Sequence, residues 1–176
     1  MTTSSIEFNK PRWQTIVCMT LGFWLSACLL LDLVIMPSMY VSGMMAEPAF
    51  VTAGSTLFSV FNRVELVCAA LGVTGLLVLS NLSKDSGNKG RTAIILSFVL
   101  LAIALIDTYG LTPQMTALGA NLNLFESANE VPAAMNQMHA GYWVLEIVKF
   151  ALVGSLLSGC YRQLGDREAL QMQHRS

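Results

Sequence analysis

The sequence predicts an all-α, polytopic membrane protein that forms a four-transmembrane-helix bundle. Hydrophobic residues make up 54% of the chain and charged residues only 12%, whereas a soluble domain carries about 25% charged residues. Four apolar stretches each approach the roughly 20 residues that cross a hydrocarbon core. Because these stretches and their connections use nearly all 176 residues, we expect a single transmembrane domain over residues 1–176.

The four spans can be placed along the chain from its apolar runs. We expect membrane helices at about residues 13–36, 61–80, 92–111 and 139–161. The first run is longer than the apolar region of a signal peptide and contains Asp32, so we interpret it as a membrane span.

Two long connections, residues 37–60 and 113–138, join the spans in pairs. Each begins at or beside a proline, so we expect the preceding helix to end there. Within residues 48–62, the large apolar side chains fall on one helical face. This spacing predicts a short amphipathic helix that lies on the membrane interface. The second connection has the same character with less regular spacing.

The basic residues predict the orientation in the membrane. Eight of the ten flank the spans on one side: Lys10, Arg12, Lys84, Lys89, Arg91, Arg162, Arg167 and Arg175. The connections 37–60 and 113–138 contain none. By the positive-inside rule, the N- and C-termini are cytoplasmic and these connections face outward. We expect a cell membrane, either a bacterial inner membrane or an internal membrane.

The chain also has the pattern of a tandem repeat of two helical hairpins. Asp32 and Asp107 each lie near the end of a span, with a proline five or six residues later. In each half a long connection follows, and the returning span carries Glu65 or Glu146. Parallel repeats of this kind occur among transporters.

Each predicted span buries a carboxylate, and an ionisable side chain at membrane depth costs roughly 2.5–3.5 kcal/mol on insertion scales. We therefore predict a buried acidic site in the outer half of the bundle. The candidate ion or proton site comprises Asp32, Glu65, Asp107, His139, Glu146 and Lys149. Candidate supporting residues are Asn62, Arg63, Tyr142 and Trp143.

Helical spacing predicts which side chains share a face. On the fourth span, His139, Trp143 and Glu146 fall on one stripe, flanked by Tyr142 and Lys149. Lys149 is three residues from Glu146, close enough for an ion pair. On the second span, small residues on the face of Glu65 permit close helix approach; this face contains Asn62, Glu65, Cys68, Gly72 and Gly75.

The charges of the spans do not cancel. The four acids exceed Lys149 and Arg63 by two negative charges, and Arg63 lies away from the Glu65 face, where it can snorkel to the surface. Burying excess charge is unfavourable, so either some acids are protonated or a cation binds. The alternative is a purely structural network of interhelical hydrogen bonds and ion pairs that fixes packing.

The sequence limits which cofactors the protein could bind but identifies none of them. Methionines near the outer connections and His139 suit Cu(I), although methionine is also a common filler of irregular apolar surfaces. We therefore leave the metal unknown, with a metal cation as one candidate. One span histidine cannot supply a bis-histidine haem, and no nucleotide-binding motif is present. The net charge of −1 argues against a nucleic-acid partner.

Enzymatic activity is undecided, and the sequence favours its absence. No catalytic motif of the common hydrolase or metalloprotease classes is present. A His139–Glu146 dyad for lipid or quinone chemistry is the alternative, although a dyad alone is weak evidence. We therefore assign no catalytic residue.

Several segments together resemble the transmembrane-protein-205-like family, closest to its bacterial members. They are Arg12-Trp13-Gln14, Gly22-Phe23-Trp24, Asp32 to Pro37, Phe61-Asn62-Arg63-Val64-Glu65, Asp107-Thr108-Tyr109 to Pro113, and His139-Ala140-Gly141-Tyr142 to Glu146 and Lys149. The resemblance covers nearly the whole chain and implies a small four-helix membrane protein without an established biochemical activity. By analogy, the link of the family's human member to platinum-drug resistance favours metal or export chemistry.

Two functional hypotheses follow. The first is cation- or proton-coupled transport, or metal or drug resistance, through the buried acidic and histidine site. Four spans are few for a monomeric carrier, so it requires a homo-oligomer in the lipid bilayer. The second is an accessory or assembly subunit of a larger membrane complex with a structural polar network. In that case we expect lipid-facing Trp24 and Trp143 to matter more than the acids.

Overall fold

A computed structural model describes residues 3–43, 50–82, 87–125 and 133–173, and nearly all of these residues are helical. The helical segments are α1 (Thr3–Leu30), π1 (Leu31–Ile35), α2 (Met36–Val41), α3 (Phe50–Leu82), α4 (Asn88–Ile106), π2 (Asp107–Leu111), α5 (Thr112–Phe125) and α6 (Ala133–Gln173). Four helices are long and apolar enough to cross a membrane: Arg12–Met39, Thr52–Leu82, Asn88–Gly119 and Gln137–Gln163. The predicted all-α four-helix architecture is confirmed.

The four long helices pack side by side in a ring. α1 contacts α3 and α6, and α4 contacts the same two helices. α1 therefore lies diagonally opposite α4, and α3 lies diagonally opposite α6. Successive helices alternate in direction, so α2, α5 and the beginning of α3 lie together at one end of the bundle. We call this the α2/α5 end; the beginning of α1 and the end of α6 lie at the opposite end.

The helices extend further than the apolar runs predict. α3 already begins at Phe50, so residues 50–62 of the segment expected to lie flat on the interface are the first part of a long helix. Residues 44–49 of the first connection lie outside the described residues. The first and third helices also continue past their prolines, to Val41 and Phe125. The expected proline exits are wrong, because each helix changes its hydrogen-bonding register before the proline. Residues 126–132 of the second connection lie outside the described residues.

The register changes at two short π-helical turns, π1 and π2. In π1 the N–H of Met36 donates to the carbonyl of Leu31, five residues back. In π2 the N–H of Thr112 donates in the same way to the carbonyl of Asp107. Each turn contains an aspartate and ends two residues before a proline; the tandem repeat of two hairpins stays a prediction. Turns of this type are frequent at functional sites.

The prolines explain the location of these turns. A proline lacks an N–H group, and its ring clashes with the carbonyl four residues earlier. For Pro37 that carbonyl belongs to Leu33, and for Pro113 it belongs to Tyr109. Each is the third residue of a π turn, where the wider backbone coil relieves the clash.

The interior of the bundle is divided into two layers. The layer nearer the chain termini is apolar and consists of Val17, Leu21, Ala69, Leu76, Leu100, Ala104, Val153 and Leu156. The layer towards the α2/α5 end contains most of the buried polar side chains. By contrast, large apolar side chains such as Met19 and Ile147 point outward and are exposed. This inside-out distribution is expected for a bundle surrounded by lipid.

The closest approach of two helices depends on one glycine. A Cβ atom placed on Gly75 of α3 would collide with Cγ2 of Val17 on α1, and Val17 is fully buried. A Cβ on Gly72, one turn earlier, would meet only Leu21 at an ordinary 3.9 Å. The small-residue face predicted on the second span therefore permits close packing chiefly at Gly75.

We expect Gly75→Ala to destabilise the protein by roughly 1–3 kcal/mol, because Val17 must shift within a packed core. Gly72→Ala is the matched control, a buried glycine on the same face with room for a methyl group. Unfolding of both variants in detergent micelles, followed by circular dichroism, tests this difference. Equal stability of the two variants would contradict the close contact.

Candidate functional site

The ammonium group of Lys149 lies at the centre of the polar layer. Its Nζ atom is 2.8 and 2.9 Å from the two carboxylate oxygens of Glu65. It is 2.6 Å from Oε1 of Glu146 and 3.3 Å from Oδ2 of Asp107. All four side chains are at most 2% exposed. One cation on α6 therefore contacts carboxylates from α3, π2 and α6.

Helix geometry explains how these groups meet. Glu146 and Lys149 are three residues apart and share the inner face of α6. Glu65 lies on α3, diagonally across the bundle, and the long lysine side chain spans this distance. Charge-assisted hydrogen bonds of this kind are stronger than neutral ones. We call the group formed by Asp32, Glu65, Asp107, Glu146 and Lys149 the acidic cluster.

Glu65 also accepts hydrogen bonds from α1. The indole Nε1 of Trp24 donates to its Oε1 at 3.0 Å, and the thiol of Cys28 donates to the same oxygen at 3.0 Å. Trp24, Cys28 and Asp32 are spaced four residues apart and follow the inner face of α1 into π1. Both oxygens of Glu65 thus have donors from within the protein.

Asp32 is held from the fourth membrane helix. The hydroxyl of Tyr142 donates to its Oδ1 at 2.9 Å. The carboxyl group of Asp32 also lies within hydrogen-bonding range of Glu146. The Tyr142 ring packs edge-on against Phe58, with ring centroids 5.7 Å apart. Since Tyr142 is half-buried, this pair lies between the centre of the cluster and the α2/α5 end.

Asp107 is positioned through its backbone. The side-chain amide of Asn62 donates to the Asp107 carbonyl at 3.4 Å and to the Thr112 hydroxyl at 2.6 Å. These hydrogen bonds hold π2 and the beginning of α5 against α3. Of the described residues, none donates a hydrogen bond to either carboxylate oxygen of Asp107 or to Oε2 of Glu146. Oδ2 of Asp107 keeps its 3.3 Å ion pair with Lys149, whereas Oδ1 of Asp107 and Oε2 of Glu146 are buried acceptors without a hydrogen bond from the described part of the chain. A buried acceptor without a hydrogen bond costs free energy unless a proton or a cation satisfies it.

The acidic cluster carries a large imbalance of charge. Four carboxylates surround one ammonium, which leaves three negative charges in excess if every acid is ionised. Arg63 does not compensate, because its side chain is exposed on the outer surface of α3. The predicted snorkelling geometry of Arg63 agrees with this position. The excess is thus three negative charges, one more than the two obtained when both Lys149 and Arg63 are counted against the four acids.

The structure brings five of the six predicted site residues together, namely Asp32, Glu65, Asp107, Glu146 and Lys149. Of the predicted supporting residues, Asn62 and Tyr142 contact this group, whereas Arg63 does not.

The stripe predicted on the fourth span is wrong by one helical position. The inward residues are Tyr142, Glu146 and Lys149, whereas His139 and Trp143 are exposed. Both stripes pass through Glu146 at helical spacing, so spacing alone cannot separate them. The buried stripe is the one that contains Lys149. Burying Glu146 without a cation costs more free energy than exposing Trp143 to lipid.

Sequence reasoning missed three further contacts of the site. Trp24 was expected to face lipid, yet it is 1% exposed and donates to Glu65. Cys28 and Thr112 were not assigned a role. The four-residue spacing of Trp24, Cys28 and Asp32 was a detectable signal, because it places a donor on the same helical face as a buried acid.

Some of these side chains offer ligand atoms for a metal. Cys28, Glu65 and Glu146 each have one donor atom within 4.8 Å of the others, and all three residues are buried. The Lys149 ammonium lies against the two glutamates of this group.

Compared with protein-family models, curated proteins and solved structures, the chain matches none of them. The resemblance to the transmembrane-protein-205-like family therefore stays a prediction.

We expect Lys149→Met to destabilise the folded protein by roughly 3–5 kcal/mol, because it leaves buried carboxylates without their cation. Arg63→Met is the matched control: it removes a cation two residues from Glu65 in sequence, but an exposed one, and should change stability by about 0.5 kcal/mol or less. Thermal unfolding in lipid nanodiscs compares the two variants. Similar stabilities would contradict the central position of Lys149.

A double-mutant cycle tests the same contact from the other side. Glu65→Gln in the Lys149→Met background removes one uncompensated charge and should recover part of the lost stability. The measured quantity is the interaction free energy between the two positions. A value near zero would show that the ion pair does not form in the membrane.

Proposed function

We propose that this protein binds a cation, a proton or a metal ion, in its acidic cluster and couples that binding to transport across a membrane. The observation that carries the proposal is the surplus of negative charge around Lys149, with three buried carboxylate oxygens that accept no hydrogen bond from the described residues. Ionisable groups at membrane depth commonly mark ion pathways and proton relays.

The cost of burial supports an exchangeable occupant. An uncompensated carboxylate inside a low-dielectric bundle is unfavourable by several kcal/mol. Lys149 compensates one charge, and its closest contacts are already shared between Glu65 and Glu146. Asp32 accepts from the neutral Tyr142 hydroxyl, and Asp107 has the longer 3.3 Å ion pair with Lys149. The remaining negative charge is then left for protons or an additional cation to compensate.

The side of access follows from orientation. By the positive-inside rule both termini are cytoplasmic, so the α2/α5 end faces outward. Polar side chains extend from this end to Lys149: Thr112, Asn62, Tyr142, Asp32 and Glu146. In contrast, the opposite half of the interior is largely apolar. We infer that cations enter the cluster from the outer side.

The two π turns supply the element that can change conformation. Asp32 lies within π1, and Asp107 begins π2. A π turn differs from an α-helix by one residue of hydrogen-bond register, so its conversion would rotate the carboxylate that it carries. Cation binding that favours one register would shift the population of the two states. A homo-oligomer in the lipid bilayer is the assembly we propose for transport by so few spans.

The alternative is an accessory subunit of a larger membrane complex, in which the cluster only fixes helix packing. The observation favouring it is the complete set of donors around Glu65, which come from α1 and α6. A network of this kind specifies one arrangement of the helices. It predicts no exchange of cations.

Charge movement on a solid-supported membrane separates the two functions. Proteoliposomes of the wild-type protein should give a transient current when the external pH or divalent-metal concentration is stepped, because cations enter the acidic cluster. Glu146→Gln should lose most of this current while remaining folded, whereas Arg63→Gln should retain it. No current from the folded wild type under either step would contradict the proposed function and favour the accessory role.

A further inference from the structure

We propose that the cluster's cation is a borderline divalent transition metal of the Zn²⁺ class, bound by the thiolate of Cys28 and the carboxylates of Glu65 and Glu146. Lys149 serves as a tethered ammonium that keeps the site closed without metal and moves towards Asp107 when the metal enters. This inference rests on the proposed function and identifies its cation.

The donor atoms already lie close to a coordination geometry. Zinc binds sulfur at about 2.3 Å and carboxylate oxygen at about 2.0–2.2 Å, so tetrahedral donors are separated by about 3.5 Å. The donor atoms of Cys28, Glu65 and Glu146 all lie within 4.8 Å of one another. The sulfur of Cys28 is 3.0 Å from Oε1 of Glu65. A metal centred among them requires side-chain rotations that bring these atoms to about 3.5 Å apart and displacement of the Lys149 ammonium, which lies against both glutamates.

An independent observation points to a ligand at this place. Oε2 of Glu146 is buried, and no described residue donates to it. The same carboxylate uses its other oxygen to hold the Lys149 ammonium at 2.6 Å. The carboxyl group of Asp32 also lies within hydrogen-bonding range of Glu146. Two adjacent buried acids are suited to a further cationic partner.

The mixed donor set selects the class of metal. Hard cations such as Mg²⁺ and Ca²⁺ prefer sites made entirely of oxygen, whereas thiolate ligands favour softer ions. One sulfur with two carboxylates lies between these extremes and suits Zn²⁺ or Co²⁺. His139 is exposed and lies outside this set, so the nitrogen ligand expected from sequence does not contribute.

Asp107 is an alternative ion-pair partner for the Lys149 ammonium. Its Nζ atom is 3.3 Å from Oδ2 of Asp107, and neither oxygen of Asp107 accepts a hydrogen bond from the described residues. A short movement of the lysine side chain therefore breaks the ion pairs of its ammonium with Glu65 and Glu146 and strengthens the pair with Asp107. The ammonium stays paired, and the two glutamates become available to the metal.

The exchange balances in atoms and charge. The S–H bond of Cys28 breaks, an S–metal bond forms, and the proton leaves to bulk water; no oxidation or reduction occurs. The divalent ion with one thiolate and two carboxylates carries one net negative charge, while the Lys149–Asp107 pair is neutral. Asp32 adds one further negative charge, so with every acid ionised the cluster changes from three excess negative charges to two. Metal binding therefore relieves part of the electrostatic cost of the cluster.

Trp24 has a positioning role in this site. Its indole N–H donates to Oε1 of Glu65 and is fully buried. Donors of this type orient a ligating carboxylate, and their loss lowers metal affinity roughly 10–100-fold. We expect Trp24→Phe, which keeps the ring volume but removes the N–H, to weaken binding within that range.

Titration of the nanodisc-embedded full chain with Co²⁺ alone, followed by competition with Zn²⁺, tests the assignment. The wild type should bind one metal per chain and show a near-ultraviolet charge-transfer band from sulfur to cobalt. Cys28→Ser should abolish that band and lower the affinity by more than the roughly 10–100-fold expected for loss of a supporting hydrogen bond. Cys160→Ser, a buried thiol near the opposite end of the bundle, should keep both.

Because Lys149 acts as a tethered ammonium that competes with the metal, its removal should strengthen metal binding, whereas Cys28→Ser should weaken it. Lys149→Gln removes the competing cation and should bind Zn²⁺ at least about tenfold more tightly than the wild type. If this variant fails to fold without metal, rescue of folding by added Zn²⁺ supports the role. Weaker Zn²⁺ binding in folded Lys149→Gln would overturn it.

The outcomes separate this inference from the proposed function. If the wild type binds no metal but still gives a pH-step current, the metal assignment fails and proton coupling stands. If Cys28→Ser keeps the cobalt band, the thiolate is not a ligand and the assignment fails. If neither metal binding nor current occurs in the folded protein, both fail together.

Discussion

The arrangement of the bundle depends on the position of one ammonium group among buried carboxylates. Lys149 joins residues of α3, π2 and α6, and Trp24 and Cys28 extend the same network to α1 through Glu65. All four membrane helices therefore contribute to one polar centre, while an apolar layer fills the half of the bundle nearer the chain termini. In a bilayer, where apolar burial between helices contributes little, such polar contacts specify which faces meet.

The same centre is electrostatically incomplete. Glu65 accepts hydrogen bonds on both oxygens, whereas Asp107 has a longer 3.3 Å ion pair with Lys149 and accepts no hydrogen bond from the described residues, and neither does one oxygen of Glu146. A network built only for packing would satisfy every member, because a half-satisfied network is less stable than an apolar core. The contrast between Glu65 and Asp107 is therefore what favours an exchangeable cation. The π turns at Asp32 and Asp107 place two of the acids on backbone that has an alternative register.

Much of this was accessible from sequence, because hydropathy and periodicity constrain membrane helices strongly. The four spans, the acids and the Glu146–Lys149 pair follow from apolar runs and three-residue spacing. The orientation of the fourth helix did not, because Trp143 and Tyr142 are adjacent and fit either side of a stripe through Glu146. The helices also continue past Pro37 and Pro113, since π turns accommodate the rings, and no propensity rule predicts that register change. The diagonal contact from Lys149 to Glu65 depends on tertiary packing, which a single sequence does not specify.

We propose that the acidic cluster holds exchangeable cations in place of its missing positive charge. Infrared difference spectroscopy of the protein in lipid reports this directly through the C=O stretch of protonated carboxyl groups. We expect a protonated-carboxyl band at neutral pH that decreases when Zn²⁺ is added or the pH is raised, and that changes in Glu146→Gln. A folded protein with no such band and no bound metal, under any of these conditions, would contradict the account.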